Sequence, residues 1–257
     1  MKNEDHIALF IDADNISYHA TEGILSELSK YGIVNIRQAY ANWTKENLKN
    51  WESILLEFAI KPIQQFDYTK NKNATDILMT IDAIDLLHMG KIDAFAFATS
   101  DSDFTPVVMR VQAEGIKVFG FGEKKTPKPF IVACSQFIFT EKLMKQKGHN
   151  STTLREHQEE HQEITQRKSR QEMCADTWLV NILRTALEQT MDEDGWGNLA
   201  EVGAYISNSS SFSPINYGYK KLSNLIKATE LFDIYLDEEN KLMSIRDKKF
   251  KPNLFTS

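Results

Sequence analysis

The chain has 257 residues, a mass of 29.5 kDa and a formal charge of −6, from 30 Lys and Arg against 36 Asp and Glu. That length can bury one substantial core and a second small one, and an acidic balance excludes generic coating of nucleic acid by a basic surface while leaving room for a local basic groove. No run approaches the roughly 20 apolar residues of a membrane span, the opening MKNEDH has no leader pattern, and Cys134 and Cys174 offer neither metal spacing nor a disulfide framework, so the expectation is a cytoplasmic protein.

Apolar runs in the first half predict strands at 7–11 (IALFI), 34–40 (VNIRQAY), 62–66 (PIQQF), 94–98 (AFAFA), 116–121 (IKVFGF) and 137–139 (FIF). Amphipathic stretches between them predict helices near 22–31, 45–59, 75–89 and 104–114. Continuous apolar strands alternating with helices predict an α/β fold with a parallel sheet covered on both faces. Residues 149–172 are polar, with Leu154 and Ile164 as their aliphatic content, too little to build a core. The chain therefore reads as a domain over 1–148, a linker over 149–172, a second domain over 173–248 and a tail over 249–257.

Ligands of parallel sheets gather outside the C-terminal ends of the strands. Asp12 and Asp14 follow IALFI in FIDADN, Asp101 and Asp103 follow AFAFA in TSDSDF, and Asp76 opens the third long helix in NKNATDILM. Clustered carboxylates without matching bases raise one another's pKa or recruit a cation. An oxygen-only set suits Mg²⁺ or Mn²⁺ better than zinc, and such ions activate water and offset charge on a phosphate. The helix terminus is expected to keep Asp76 ionised at neutral pH. The bland alternative is that these are turn formers and caps, with Asp103 capping the helix near Phe104 and Asp14 serving a turn before Ser17. Asn15, Thr99, Ser100 and Ser102 line the same turns, either orienting a carboxylate or satisfying backbone. On the third helix Asp82 lies about 120° around from Asp76 and Asp85 about 180°, which makes Asp82 a candidate outer ligand and Asp85 a solvated residue. Lys72, Lys124, Lys125 and Lys128, with Lys142, Lys145 and Lys147 beyond, form either a basic rim for a polyanion or ordinary loop surface.

The stretches FIDADNI, KNATDILMTIDAIDLL, FATSDSDFTPVVMRVQAEGIKVFGFGEKKTPKPF and ACSQFIF span most of residues 6–140. In content and order they resemble the bacterial NYN family, PIN-like nuclease relatives that include the LabA-type proteins. The resemblance implies a Rossmann-like PIN sheet, a divalent metal held by acids at strand ends, and cleavage of RNA phosphodiester bonds. It carries catalytic and metal roles onto Asp12, Asp76, Asp101 and Asp103, with Asn15 beside the first and Asp82 as the further helix acid.

After the linker, DTWLVNILRTALEQT, DEDGWGNLAEVGAYISNSS and FSPINYGYKKLSNLIKATELFDIYL predict three helices and a strand, and DEENK turns into LMSIR. Three helices and a hairpin describe a small winged-helix-like α+β domain. GWGNLAEVGAYI and FSPINYGYKKLSNLI resemble the OST-HTH, or LOTUS, domain, which implies RNA binding and, in some members, protein partners; the RNA partner expected for this chain is single-stranded. Tyr217, Tyr219, Lys220 and Lys221 are expected at the start of the third helix, where an aromatic stacks on a base and a lysine meets a phosphate. Tyr219 also fits a core stripe with Leu222, Leu225 and Ile226, so Lys220, Lys221 and Lys227 are the favoured RNA contacts.

Two patterns mislead. His157-Gln-Glu-Glu-His161 lacks the glutamate of a zinc-protease helix, and GFGEKK lacks the spacing of a phosphate-binding loop. A third competes: Asp12-Ala-Asp14 after a strand also suits the nucleophile and acid of a haloacid-dehalogenase-type phosphatase, although that reading leaves Asp76 without a task. A noncatalytic RNA-binding adaptor is the remaining alternative. The favoured expectation is a metal-dependent endoribonuclease whose C-terminal domain recruits RNA.

Overall fold

The apolar runs of the N-terminal half become six strands, β1 (Asp5–Asp12), β2 (Gly32–Ala41), β3 (Lys61–Gln64), β4 (Ala94–Ala98), β5 (Lys117–Gly122) and β6 (Gln136–Phe139). The structure is a computed structural model that describes residues 4–66, 74–144, 167–237 and 242–251, and it divides into two units, 1–148 and 149–257. In the first unit all five strand pairings are parallel, in the order β3-β2-β1-β4-β5-β6. That is the doubly wound order in which the chain reverses its direction of travel between β1 and β4.

The helices are α1 (Thr21–Leu28), α2 (Trp51–Glu57), α3 (Ala74–Met89), α4 (Thr105–Ala113) and α5 (Lys128–Ala133). The helix expected over 45–59 is a 3-10 turn, Glu46–Leu48, followed by α2. Every residue of β4 is buried, as are Ile7 to Asp12 of β1, because both strands carry helices on each face. On the α3 side, Phe10 stacks on Tyr40, Phe95 and Phe97, with centroids 5.6–6.0 Å apart, and Met79, Ala83 and Leu87 of α3 close over them. Offset stacking adds to the area these rings bury. Gly122 ends β5 where a Cβ would stand 2.7 Å from the Thr99 carbonyl oxygen, so glycine lets β5 and the β4 turn close up.

The second unit holds α6 (Arg170–Ala175), α7 (Thr177–Glu188), α8 (Leu199–Ser209) and α9 (Leu222–Thr229). A three-stranded antiparallel sheet orders β7 (Gly197–Asn198), β9 (Leu242–Asp247) and β8 (Phe232–Asp237) as β7-β9-β8. Met173, Leu179, Leu183, Val202, Ile206, Leu225 and Ile245 form its core. Helix α6 and strand β7 are additions to the expected three helices and hairpin. α6 begins inside the stretch read as linker, where Ser169 and Glu172 cap each other's backbone N–H groups reciprocally. Residues 149–166 of that stretch, with His157 and His161, lie outside the described residues, as do Lys72, Lys145 and Lys147. Among the described residues no helix is long and apolar enough to cross a membrane.

Candidate active site

β1 and β4 lie side by side, with Ile11 opposite Ala98, so their C-terminal ends deliver Asp12 and the Thr99–Asp101 turn to one place. Asp12 is 1% exposed. Its Oδ2 accepts from Asn15 Nδ2 at 2.7 Å and from Thr99 Oγ1 at 2.8 Å, while Oδ1 is buried with no hydrogen-bond partner. Burial pushes the Asp12 carboxyl above the ordinary carboxylate range, against the two donated bonds, and Asp14 adds a smaller upward push. Thr99 Oγ1 also accepts from the Asp101 backbone N–H at 3.1 Å, so one hydroxyl joins both acid-bearing turns. Ser100 Oγ accepts from the Glu123 N–H at 2.9 Å and ties the β4 turn to the end of β5.

Asp101, rather than Asp103, is the cap: its Oδ1 accepts from the Asp103 N–H at 2.8 Å at the start of a 3-10 turn, Ser102–Phe104, which leads into α4. Asp103 is exposed. Asp76, half-buried in the first turn of α3, is pushed up to about 6, by burial first and then by Asp12, Asp101, Asp103 and Asp14 in that order. Desolvation and four carboxylates together raise it, yet at about 6 Asp76 remains largely ionised at neutral pH. The five acids form one electrostatic group drawn from β1, α3 and the β4–α4 turn.

The remaining expected residues are placed elsewhere or occupied locally. Asp82 Oδ2 accepts from the Tyr40 hydroxyl at 2.8 Å, and Asp82 is not among the acids that act on Asp76. Lys125 pairs with Glu123 at 2.8 Å, the Lys124 N–H donates to Glu141 at 2.9 Å, and Lys128 is exposed at the start of α5. A contact that spacing did not suggest is Lys45, whose Nζ stands 3.1 Å from Asp14 Oδ1 and brings a cation to the edge of the acids. In the second unit, Tyr217 donates to Asp176 at 3.0 Å and Tyr219 to the Lys168 carbonyl at 3.1 Å, so both rings serve packing. They and Lys220 and Lys221 precede the third long helix instead of opening it, since α9 begins at Leu222. Lys220, Lys221 and Lys227 are exposed. The hairpin carries a further aromatic cluster, with Arg246 4.6 Å from the Trp196 ring centre and Tyr235 edge-on to it at 6.3 Å.

Whether this group suits a divalent cation rests on its donors. They are all oxygens, and Asp12 Oδ1 is a buried acceptor lacking a donor; both features fit a hard ion. The spacing is looser than coordination demands, since among the described residues no three His, Cys, Asp or Glu side chains are close enough to hold one ion.

Acids massed where a doubly wound sheet reverses direction, followed by a small helix-and-hairpin domain, define a Rossmann-like α/β protein of PIN type. Residues 6–143 match the NYN domain and residues 174–242 the OST-HTH/LOTUS domain. The chain belongs to the NYN family and carries a C-terminal OST-HTH/LOTUS domain, an architecture that supports a nuclease-family function. An uncharacterized protein of Methanocaldococcus jannaschii is 26% identical over 180 residues, 65% of this chain and 72% of its own. A crystal structure of a Vibrio parahaemolyticus protein of unknown function is similar at 19% identity over 54% of this chain and 94% of that one, with a TM-score of 0.46.

Proposed function

We propose that the protein is a divalent-metal-dependent endoribonuclease that hydrolyses RNA phosphodiester bonds, with the C-terminal domain recruiting the RNA. The observation that carries this reading is the mutual strain of the acids: Asp12 lacks a partner for Oδ1, and Asp76 is raised to about 6 by its neighbours. Negative charge concentrated at a switch point, with Lys45 against Asp14 at its edge, is suited to receive a cation. Asp12, Asp76 and Asp101, assisted by Asp103, are the residues that would hold Mg²⁺ or Mn²⁺, which when bound supplies water activation and charge neutralisation at phosphorus. Thr99 and Asn15 hold the Asp12 carboxylate in one orientation, and Ser100 fixes the turn beside it. Lys124, Lys125 and Lys128 supply positive charge for the phosphate backbone on one side, and Lys220, Lys221 and Lys227 do so on the C-terminal domain. Family membership favours phosphodiester cleavage over the phosphatase reading of Asp12 and Asp14.

The test is a time course on end-labelled single-stranded RNA and matched DNA in Mn²⁺, Mg²⁺ and EDTA, with Asp12→Asn as control. Products with 5′-phosphate and 3′-hydroxyl ends that require metal and disappear in D12N are expected. Identical traces from wild type and D12N would leave an RNA-binding adaptor, and phosphate release from small monoesters with intact RNA would return the phosphatase.

A further inference from the structure

Two hydrogen bonds make the end of the polar linker part of the C-terminal unit. The Lys168 N–H donates to the Tyr217 carbonyl at 3.0 Å, and the Tyr219 hydroxyl donates to the Lys168 carbonyl at 3.1 Å. These bonds set two cations against two rings: Lys168 Nζ lies 4.4 Å from the Tyr217 ring centre and the Arg167 guanidinium 5.7 Å from that of Tyr219. Both rings are buried, whereas Arg167 is exposed and Lys168 partly so. A guanidinium over a ring engages it by its face and keeps the N–H donors of its edge directed outward. Lys168 Nζ stands 3.6 Å from Asp176 Oδ2, an oxygen that already accepts from the Tyr217 hydroxyl at 3.0 Å, and that separation exceeds hydrogen-bond reach.

The rings continue in a row to one that meets solvent. Tyr217 lies 5.9 Å from Phe212, and Phe212 6.0 Å from Trp178, centre to centre. Trp178, in the first turn of α7, is 51% exposed. Lys220 and Lys221 follow Tyr219 in the chain and are exposed. Much of the unit's negative charge is carried by other elements, at Asp192, Glu193 and Asp194 in the turn before β7 and at Asp233 and Asp237 on β8. An exposed ring beside a group of cations suits a single nucleic-acid strand, whose bases stack on the ring whatever their identity and whose phosphates meet the charges. An acidic peptide would engage the cations and leave Trp178 without a task.

We propose that Arg167, Lys168 and Trp178 build the RNA-binding surface of the C-terminal unit together with Lys220 and Lys221, one base stacking on Trp178 and the flanking phosphates meeting the cations. The inference rests on the reading that this unit recruits RNA, and it supplies the surface that does so. Fluorescence anisotropy of a labelled single-stranded RNA of mixed sequence, titrated with the full chain in EDTA over a range of salt, tests it without cleavage of the probe. The variants are Trp178→Leu, Trp178→Phe, the pair Arg167→Gln and Lys168→Gln, and, as a control of equal charge, the pair Lys248→Gln and Lys249→Gln. Far-UV circular dichroism and melting temperature check that each is folded, and W178F keeps an aromatic cover if W178L unfolds. W178L is expected to bind about tenfold more weakly or worse, and W178F to keep most of the affinity, as a stacked base requires. The R167Q and K168Q pair should lower the slope of log affinity against log salt by about 1.4, two phosphates at about 0.7 each, and by more than the control pair does. If W178L and the R167Q and K168Q pair bind like the control while Lys220→Gln with Lys221→Gln abolishes binding, the proposal is overturned and recruitment of RNA stands. A wild type that binds no RNA overturns both. Competition by polyglutamate as effective as by unlabelled RNA would also overturn it, by assigning the surface to an acidic protein.

Discussion

Thr99 Oγ1 donates a hydrogen bond of 2.8 Å to Asp12 Oδ2 while accepting one of 3.1 Å from the Asp101 backbone, so a single hydroxyl sets the distance between two acid-bearing turns. Thr99→Val keeps the shape and removes both bonds. Breaking a buried bond to a charged acceptor costs about 1.5–3 kcal/mol, and urea denaturation of T99V should show a loss of that size. Under the nuclease reading, RNA cleavage should fall as well, because the Asp12 carboxylate is then held by Asn15 alone. Unchanged stability would mean that Thr99 is not bonded as described.

Asp76 makes stability depend on pH with a definite sign. Its value of about 6 in the folded chain lies above about 3.9 for an unperturbed aspartate, so the folded state binds this proton more tightly than the unfolded state. The stability linked to Asp76 is therefore present in acid, declines as pH rises from roughly 4 to 6, and is level above that window. After discounting for solvent contact, the penalty at neutral pH is about 1 kcal/mol. Asp76→Asn should melt higher than wild type at pH 8, and the difference should shrink toward pH 4. An Asp76→Asn chain that melts lower at pH 8 would show that the carboxylate is compensated, not strained.

Much of this site could be read directly from residue order. β1, β4 and β5 are short apolar runs whose ends are marked by the residues that follow, so Asp12 and Asp101 announce themselves by position, and Asp76 by opening a long apolar helix. What escaped depends on partners distant in sequence. Lys45 meets Asp14 from 31 residues away, and Tyr40 meets Asp82 from 42; no spacing rule encodes either, because both arise from the crossover between parallel strands. The bland alternative offers Asp103 as the cap, and the structure gives that task to Asp101, two residues away in one turn where either aspartate satisfies the preference. α5 escaped because TPKPF reads as loop, although Pro127 and Pro129 fall at the start of the helix, where proline is tolerated. α6 did carry a signal, the Ser169 and Glu172 capping pair, inside a stretch too polar to suggest packing.

Adding a divalent cation should reverse the strain in the acid group. An ion that binds only the folded chain stabilises it by about 2.7 kcal/mol at a hundred times its Kd. Mn²⁺ or Mg²⁺ should accordingly raise the melting temperature, EDTA should restore the original value, and Asp101→Asn should abolish most of the response. The shift should also weaken as pH falls below about 6, because protons compete for Asp76. A chain whose melting curve ignores both ions at neutral pH would remove the metal from the proposal, whatever the outcome of cleavage assays.

Asp82 separates position in a motif from position in space. The family resemblance makes it the further helix acid, yet its carboxylate accepts from the Tyr40 hydroxyl at 2.8 Å, and the Tyr40 ring stacks on Phe10. Burial of the phenol, followed by Asp82, raises the Tyr40 pKa, as expected of a buried neutral donor held to a carboxylate. The contact thus anchors α3 to β2. Tyr40→Phe should cost about 1–3 kcal/mol by leaving Asp82 without this donor, and Asp82→Asn should cost less, because an amide oxygen still accepts from the phenol. Under the nuclease reading, neither change should alter metal-dependent RNA cleavage, whereas Asp76→Asn should abolish the cleavage. If Asp82→Asn lowered the apparent Mn²⁺ affinity while Tyr40→Phe did not, Asp82 would be acting on the cation site and not through Tyr40. The ratio of the two variants' metal titrations, measured at equal fractions folded, decides between these roles.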